Sequence, residues 1–171
     1  KVTRPEVLSL VKTLARYDVV SFDIFDTLLF RPFDVPADLF RILGDEFKIA
    51  NFKELRIMAE REARKKTTKP NAEINIYDIY EVLSYYTGLD RDMGVSREIY
   101  VEKQFCFANP YMKEVFSMIK ANGKDIIAVS DMYFTEDMVR ELLINCGYDG
   151  FSHVFVSSEL HCNKHGGMLQ K

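Results

Sequence analysis

Apolar residues at helical spacing alternate along the chain with short, nearly continuous apolar runs. Residues 4–17 carry their apolar side chains on one helical face, which predicts an amphipathic helix at the start. Residues 19–25 (VVSFDIF) are β-branched and aromatic and predict a buried parallel strand. Two further strands are predicted at residues 125–130 (DIIAVS) and 154–157 (VFVS).

Residues 36–108 differ in character, because no strand pattern interrupts their helical spacing. Helices are predicted over residues 51–66, 77–86 and 96–107, with Asn51 and Ser96 as caps, and we expect a bundle of about four helices. Helix and strand then alternate again. One helix begins at Asn109-Pro110, and a second is capped by Thr135.

This element order predicts an α/β fold, a Rossmann-like doubly wound parallel sheet with one large helical insertion. The α/β core is assigned to residues 1–33 and 109–171, and a helical cap to residues 34–108. In such sheets the functional site lies beyond the carboxyl ends of the strands. The candidate residues are therefore those that directly follow each predicted strand.

Composition excludes several classes of protein. Apolar residues make up 47% and charged residues 29% of the 171 residues, which is typical of a folded domain and not of a disordered tail. A net charge of −3 argues against a nucleic-acid partner, and we interpret the basic run at residues 61–69 as a solvated helix end. No apolar run approaches the roughly 20 residues of a membrane span. Three scattered cysteines favour a reducing, cytoplasmic location.

Carboxylates, hydroxyls and a lysine occupy the predicted strand ends. Asp23, Asp26 and Thr27 end the first strand, and a carboxylate there serves as a nucleophile, a Mg²⁺ ligand or a simple turn residue. Ser130 ends the second strand, as a donor to a phosphoryl oxygen or as a turn residue. Lys164 follows the third, as a cation that neutralises a phosphate or as an ordinary exposed lysine.

Together these residues resemble the motifs of the haloacid dehalogenase superfamily. Its first motif is an apolar strand followed by D-x-D-x-T, its second a Ser or Thr ending the next strand, and its third a downstream Lys. Asp23, Thr27, Ser130 and Lys164 match them. The resemblance implies that Asp23 is the nucleophile, that Thr27 and Ser130 bind phosphoryl oxygens, that Lys164 balances charge, and that Mg²⁺ binds Asp23 and the backbone carbonyl of Phe25.

The stretch FDIFDTLLFRP resembles most a branch of predicted hydrolases that are often attached to polysaccharide-biosynthesis or glycosyltransferase proteins. This resemblance implies a small phosphorylated, sugar-related substrate and an attached glycosyltransferase domain in a longer parent chain. It also implies that the helical insert is a mobile cap over the site. The first residue is Lys1 and not Met, which fits a piece of a longer protein.

Two departures from the family pattern leave the function open. Phe25 occupies the position of the phosphatases' general acid and base, a group that contributes roughly 10² to 10⁴ in rate. Asp26 is a candidate to take over that acid or base role. Against it, neighbouring side chains of a strand point to opposite faces, so Asp26 is expected to point away from the position of Phe25. Dehalogenases carry an aromatic residue at the position of Phe25, and phosphonate hydrolases a small one. Mg²⁺-dependent phosphoester hydrolysis or phosphoryl transfer is preferred; the alternatives are carbon–halogen hydrolysis and a non-catalytic regulatory or interaction module.

The second departure is the family's fourth motif, an acidic pair that completes the Mg²⁺ site, because residues 165–171 contain no acid. We therefore expect an incomplete sheet and metal site, an inactive fragment, and self-association along the uncovered edge of the first strand. His161, Cys162 and His165 are too few for a zinc site. Arg31 is predicted either to bind an anionic substrate or to pair with Asp34.

Overall fold

The computed structural model describes residues 4–67, 73–161 and 164. Its strands are β1 (Val19–Asp23), β2 (Leu29–Phe30), β3 (Phe107–Ala108), β4 (Asp125–Ser130) and β5 (His153–Val156). Its α-helices are α1 (Val7–Leu14), α2 (Leu39–Phe47), α3 (Phe52–Lys66), α4 (Ile76–Thr87), α5 (Arg91–Phe105), α6 (Pro110–Ala121), α7 (Glu136–Asn145) and α8 (Ser157–Leu160). A short 3₁₀ helix at Pro36–Asp38 precedes α2.

Three of the strands form a parallel sheet in the order β1-β4-β5. Asp23 lies opposite Val129, and Ser130 lies opposite Val156, so the carboxyl ends of all three strands meet at one edge. The predicted α/β class with a parallel sheet is confirmed. The third strand ends one residue earlier than predicted, because Ser157 begins α8.

One face of β1 is buried and the other is open among the described residues. Val20 and Phe22 are buried, and the ring of Phe22 lies 6.0 Å from that of Phe116 on α6. Val19 is 49% exposed and Ser21 is also exposed. The continuous apolar run predicted a strand buried on both faces, and this part of the prediction was wrong. Within the described sheet β1 pairs on one side only, as expected; self-association along its free edge stays a prediction.

The described part of the insert, residues 34–67 and 73–108, contains four α-helices, α2 to α5, as its helical spacing predicted. The two ends of the insert lie side by side. There β2, which precedes the insert helices, pairs with β3, which follows them, in an antiparallel ladder. Two-residue strands show no periodicity, so this pairing could not be predicted from the sequence pattern. The division into core and cap at residues 33 and 109 stays a prediction.

One predicted helix cap and one predicted helix start were wrong, whereas α3 begins directly after Asn51 as predicted. Asn51 adopts a left-handed conformation (φ 55°) and makes no side-chain cap, because a capping residue needs extended backbone. The capping box forms instead between Asn75 and Asp78 at the start of α4. Helix α5 begins one and a half turns before Ser96, where the side chain of Asp90 accepts a hydrogen bond from the Met93 amide.

The caps predicted for the core helices are confirmed where the structure describes them. The side chain of Asn109 accepts from the Tyr111 amide, with Pro110 in the first turn of α6. Thr135 accepts from the Met138 amide at the start of α7. Helix α1 is shorter than the predicted residues 4–17.

A buried ion pair lies at the centre of the insert. The guanidinium of Arg56 donates to both carboxylate oxygens of Glu98, at 2.9 and 2.8 Å, and both side chains are fully buried. The Tyr80 hydroxyl also donates to Glu98, at 2.8 Å. The Arg56 guanidinium lies 4.6 Å from the ring centre of Phe40 and 4.8 Å from that of Tyr133. Tyr133 belongs to the loop after β4, so this cluster joins α3, α4 and α5 to the core.

We expect Glu98→Ala to lower the free energy of unfolding by about 3–5 kcal/mol, because it removes the fully buried counter-charge of Arg56 and leaves only the partly exposed Glu60, at 3.3 Å. Urea denaturation measures the loss. Glu46→Ala is the matched control, since Glu46 pairs with Arg97 at the surface and its removal exposes no buried charge. Equal losses in the two variants would contradict the central role given to the buried pair.

Candidate active site

A tight turn after β1 brings the first two candidate residues together. The amides of Leu28 and Leu29 both donate to the carbonyl of Ile24, at 2.8 and 2.9 Å. The chain therefore makes a single helical turn directly after β1. The hydroxyl of Thr27 then donates to Oδ2 of Asp23 at 2.9 Å, so the predicted pair meets.

Lys164 reaches the other oxygen of the same carboxylate. Its ammonium Nζ contacts Oδ1 of Asp23, and its backbone amide donates to Oδ1 of Asp131 at 2.9 Å. The side chains of Asp23 and Lys164 are 42% and 28% exposed, so the ion pair remains open to solvent. The sequence did not single out Asp131, although it directly follows Ser130.

Ser130 lies at the same edge of the sheet. It is the last residue of β4 and is buried, one position beyond the residue that pairs with Asp23. The loop that follows is held by two serines that the sequence analysis missed. Ser157 accepts from the Met132 amide at 3.0 Å, and Ser158 donates to the Phe134 carbonyl at 2.6 Å. These contacts become visible only when β5 lies beside β4.

Phe25 and Arg31 form a second group beyond the end of β1. The Arg31 guanidinium lies 4.2 Å from the ring centre of Phe25, and its Nε donates to Oε2 of Glu102 on α5 at 2.9 Å. The side chains of Arg31 and Glu102 are 9% and 3% exposed. The predicted pairing of Arg31 with Asp34 was wrong, because Glu102, distant in sequence, takes that place.

Burial raises the pKa of the Glu102 carboxyl, and the charge of Arg31 opposes that rise. Burial alone would lower the pKa of the Arg31 guanidinium, but the charge of Glu102 and its hydrogen bond outweigh burial and raise it. The thiol of Cys106 donates to the same carboxylate, at 3.4 Å, and burial raises its pKa as well. The arginine therefore keeps its charge next to Phe25.

The backbone at Asp26 is not extended, although the expected alternation of side chains along a strand requires this. Its φ is 60°, its amide donates to the Leu29 carbonyl at 2.9 Å, and it is exposed. The alternation rule for strands does not apply to a residue in this conformation. Its role as acid or base stays a prediction.

The described residues do not form a complete Mg²⁺ site. Both carboxylate oxygens of Asp23 are already engaged, by Thr27 and by Lys164. The carbonyl of Phe25 adds a single oxygen, whereas Mg²⁺ takes octahedral oxygen coordination. Among residues 4–67, 73–161 and 164, no three His, Cys, Asp or Glu side chains cluster in a way that would hold a metal ion. Mg²⁺ binding therefore stays a prediction.

Two other sequence features fall partly outside the described residues. Of the histidine–cysteine group near the end of the chain, Cys162 and His165 lie outside them. In the part of the chain that the structure covers, no helix is both long and apolar enough to cross a membrane.

No family model and no curated protein sequence matches this chain. Solved structures do. An L-2-haloacid dehalogenase from Xanthobacter autotrophicus with chloropropionic acid covalently bound matches with a TM-score of 0.54 and 13% identity, over 88% of this chain and 61% of that one. A dehalogenase in an intermediate complex matches with a TM-score of 0.51 and 18% identity, over 86% and 65%. A further L-2-haloacid dehalogenase gives 0.52 and 16%, over 88% and 67%.

These likenesses show the fold. The chain shares the α/β fold of these dehalogenases, and it spans about three-fifths of the length of the first of them. The predicted Rossmann-like α/β fold is confirmed. The finer resemblance to the polysaccharide-biosynthesis branch is not confirmed by these structures.

Replacing Arg31 by Met should make stability depend more steeply on pH. Without the arginine, burial raises the Glu102 pKa further in the folded state, above the ordinary value of 4.5. The unfolded chain then releases its proton at a lower pH than the folded chain. The contribution of Glu102 to the stability of the variant is therefore fully present below pH 4.5 and is lost as pH rises through the folded pKa.

Urea denaturation between pH 4 and pH 8 measures this slope relative to the unsubstituted protein. Adding Glu102→Gln to the variant removes the titrating group and is expected to abolish the extra slope. An extra slope that persists in the double variant would contradict the assignment to Glu102.

Proposed function

We propose that this protein is a hydrolase in which the carboxylate of Asp23 attacks a small phosphorylated substrate. One observation carries the proposal. A solvent-accessible carboxylate stands at the carboxyl end of β1, with Thr27 on one oxygen and Lys164 on the other. A carboxylate fixed in this way is a positioned nucleophile, and the lysine offsets the repulsion between it and an anionic substrate.

The proposed reaction has two steps. An oxygen of Asp23 forms a bond to phosphorus while the bond from phosphorus to the leaving oxygen breaks, and the leaving group departs with the electron pair. Water then attacks the aspartyl phosphate, releases inorganic phosphate and restores the carboxylate. Lys164, Thr27 and Ser130 are the residues assigned to the phosphoryl oxygens.

Magnesium is part of the proposal for the whole protein, but no step is derived through it. The described residues supply only Asp23 and the carbonyl of Phe25 towards such a site. A sugar-related substrate and an attached glycosyltransferase domain likewise rest on the resemblance of the FDIFDTLLFRP stretch alone. A cytoplasmic location rests on the three scattered cysteines.

A second candidate is hydrolysis of a carbon–halogen bond. Two observations favour it: the aromatic Phe25 beside the nucleophile, and the fold shared with L-2-haloacid dehalogenases, one of them with chloropropionic acid covalently bound. In this reaction Asp23 would form an ester to carbon and halide would leave, after which water cleaves the ester. A third alternative, a non-catalytic regulatory module, predicts no Asp23-dependent turnover of any of these substrates.

Asp23→Asn should lower hydrolysis of 4-nitrophenyl phosphate by a factor on the order of 10³ or more, because an amide is a far weaker nucleophile than a carboxylate. Initial rates are measured on the whole protein with Mg²⁺ in the buffer. Asp34→Asn is the matched control, since Asp34 is exposed and outside the proposed machinery. Unchanged activity in Asp23→Asn would reject the proposal, and turnover of 2-chloropropionate instead would favour the second candidate.

The rate should also depend strongly on the leaving group, because Phe25 has no proton to give. We expect 4-nitrophenyl phosphate to be hydrolysed roughly 10²-fold or more faster than an alkyl phosphate such as glycerol phosphate. Asp26→Asn tests whether Asp26 donates the proton instead. Asparagine is chosen because it tolerates the left-handed backbone of that position. If the variant selectively loses alkyl phosphate turnover, Asp26 is the proton donor; if it does not, the site works without one.

A further inference from the structure

The proposed reaction assigns no role to Arg31, whose positive charge lies next to Phe25. Ile24 is fully buried, whereas Asp23 and Phe25 on either side of it are partly exposed. Phe25 is thus the next partly exposed side chain after Asp23, and the Arg31 guanidinium lies 4.2 Å from the centre of its ring.

The guanidinium of Arg31 is fixed in place but only partly bonded. Its face stacks on Phe25, and its Nε donates to Glu102. Its terminal nitrogens make no hydrogen bond to any residue that the structure describes. A planar arginine fork matches the geometry of a phosphate group, and burial strengthens its attraction for an anion.

We propose that Arg31 binds the leaving group and that the preferred substrate is a phosphoanhydride, in which the leaving group is itself a phosphate. This inference rests on the proposed transfer of a phosphoryl group to Asp23. Neither Phe25 nor an arginine donates a proton to a departing alkoxide. A phosphate leaving group needs no proton, because it is stable as an anion.

The two cations then match the two phosphates of the substrate. Lys164 is assigned to the phosphate that is transferred, and Arg31 to the phosphate that leaves. An oxygen of Asp23 bonds to the terminal phosphorus, the bond from that phosphorus to the bridging oxygen breaks, and the electron pair stays on the bridging oxygen. Water then cleaves the aspartyl phosphate to give a second phosphate product.

Inorganic pyrophosphate, 4-nitrophenyl phosphate and glycerol phosphate are the test substrates. The unsubstituted protein should hydrolyse pyrophosphate at least about 100-fold more efficiently than glycerol phosphate, measured as kcat/KM. A double variant, Arg31→Gln with Glu102→Gln, replaces the ion pair by neutral groups and leaves no buried charge unpaired. It should lose about 100-fold in kcat/KM for pyrophosphate and less than tenfold for 4-nitrophenyl phosphate.

Arg31→Lys provides a second variant, because it keeps the charge next to Glu102 but lacks the fork. It should lie between the unsubstituted protein and the double variant. Arg41→Gln is the matched control, since the Arg41 side chain is 70% exposed on the insert and its loss should change none of the three activities. Thermal denaturation confirms that each variant is folded.

Binding gives a measurement that does not depend on turnover. Calorimetric titration of Asp23→Asn with pyrophosphate should show weaker binding once the Arg31 and Glu102 substitutions are added. Equal losses for all substrates, or a preference of the unsubstituted protein for glycerol phosphate, would overturn the role of Arg31 while Asp23-dependent turnover upholds the nucleophile. Absence of Asp23-dependent turnover of every phosphate would overturn both.

Discussion

The parallel pairing of β1 with β4 is the constraint on which the site depends. It places the end of β1, at Asp23, next to the end of β4, at Ser130. The turn that follows β1 closes on the carbonyl of Ile24 and returns Thr27 to the carboxylate. Any shift in register between the two strands would move Asp23 away from the loop after β4, whose Asp131 holds the backbone of Lys164.

Helix α5 of the insert carries two buried carboxylates, those of Glu98 and Glu102. Glu98 and Glu102 lie one turn apart, a spacing at which like charges repel. Each has its own arginine: Arg56 within the insert, and Arg31 in the chain that follows β1. The second pair joins the insert to the core, and separating it would leave a buried ion without a partner.

The elements carried by long periodic patterns could be predicted from sequence, and so could the meeting of Asp23, Thr27 and Lys164. Those residues follow strand ends, and parallel strands bring their ends to one edge. Contacts between residues distant in sequence could not be predicted. The partner of Arg31 is such a case, because the sequence alone does not show that Glu102, rather than the nearby Asp34, forms the ion pair. The helix cap at Asn51 failed for a local reason, since asparagine also favours the left-handed turn that it adopts there.

In the proposed reaction Asp23 becomes covalently bonded to the substrate. Rapid acid quenching during turnover, followed by borohydride reduction, converts an aspartyl ester or aspartyl phosphate to homoserine, which peptide mass mapping locates. We expect homoserine at position 23 in the unsubstituted protein and none in Asp23→Asn. Turnover without modification at position 23, or modification at another carboxylate such as Asp26, would contradict the proposed reaction.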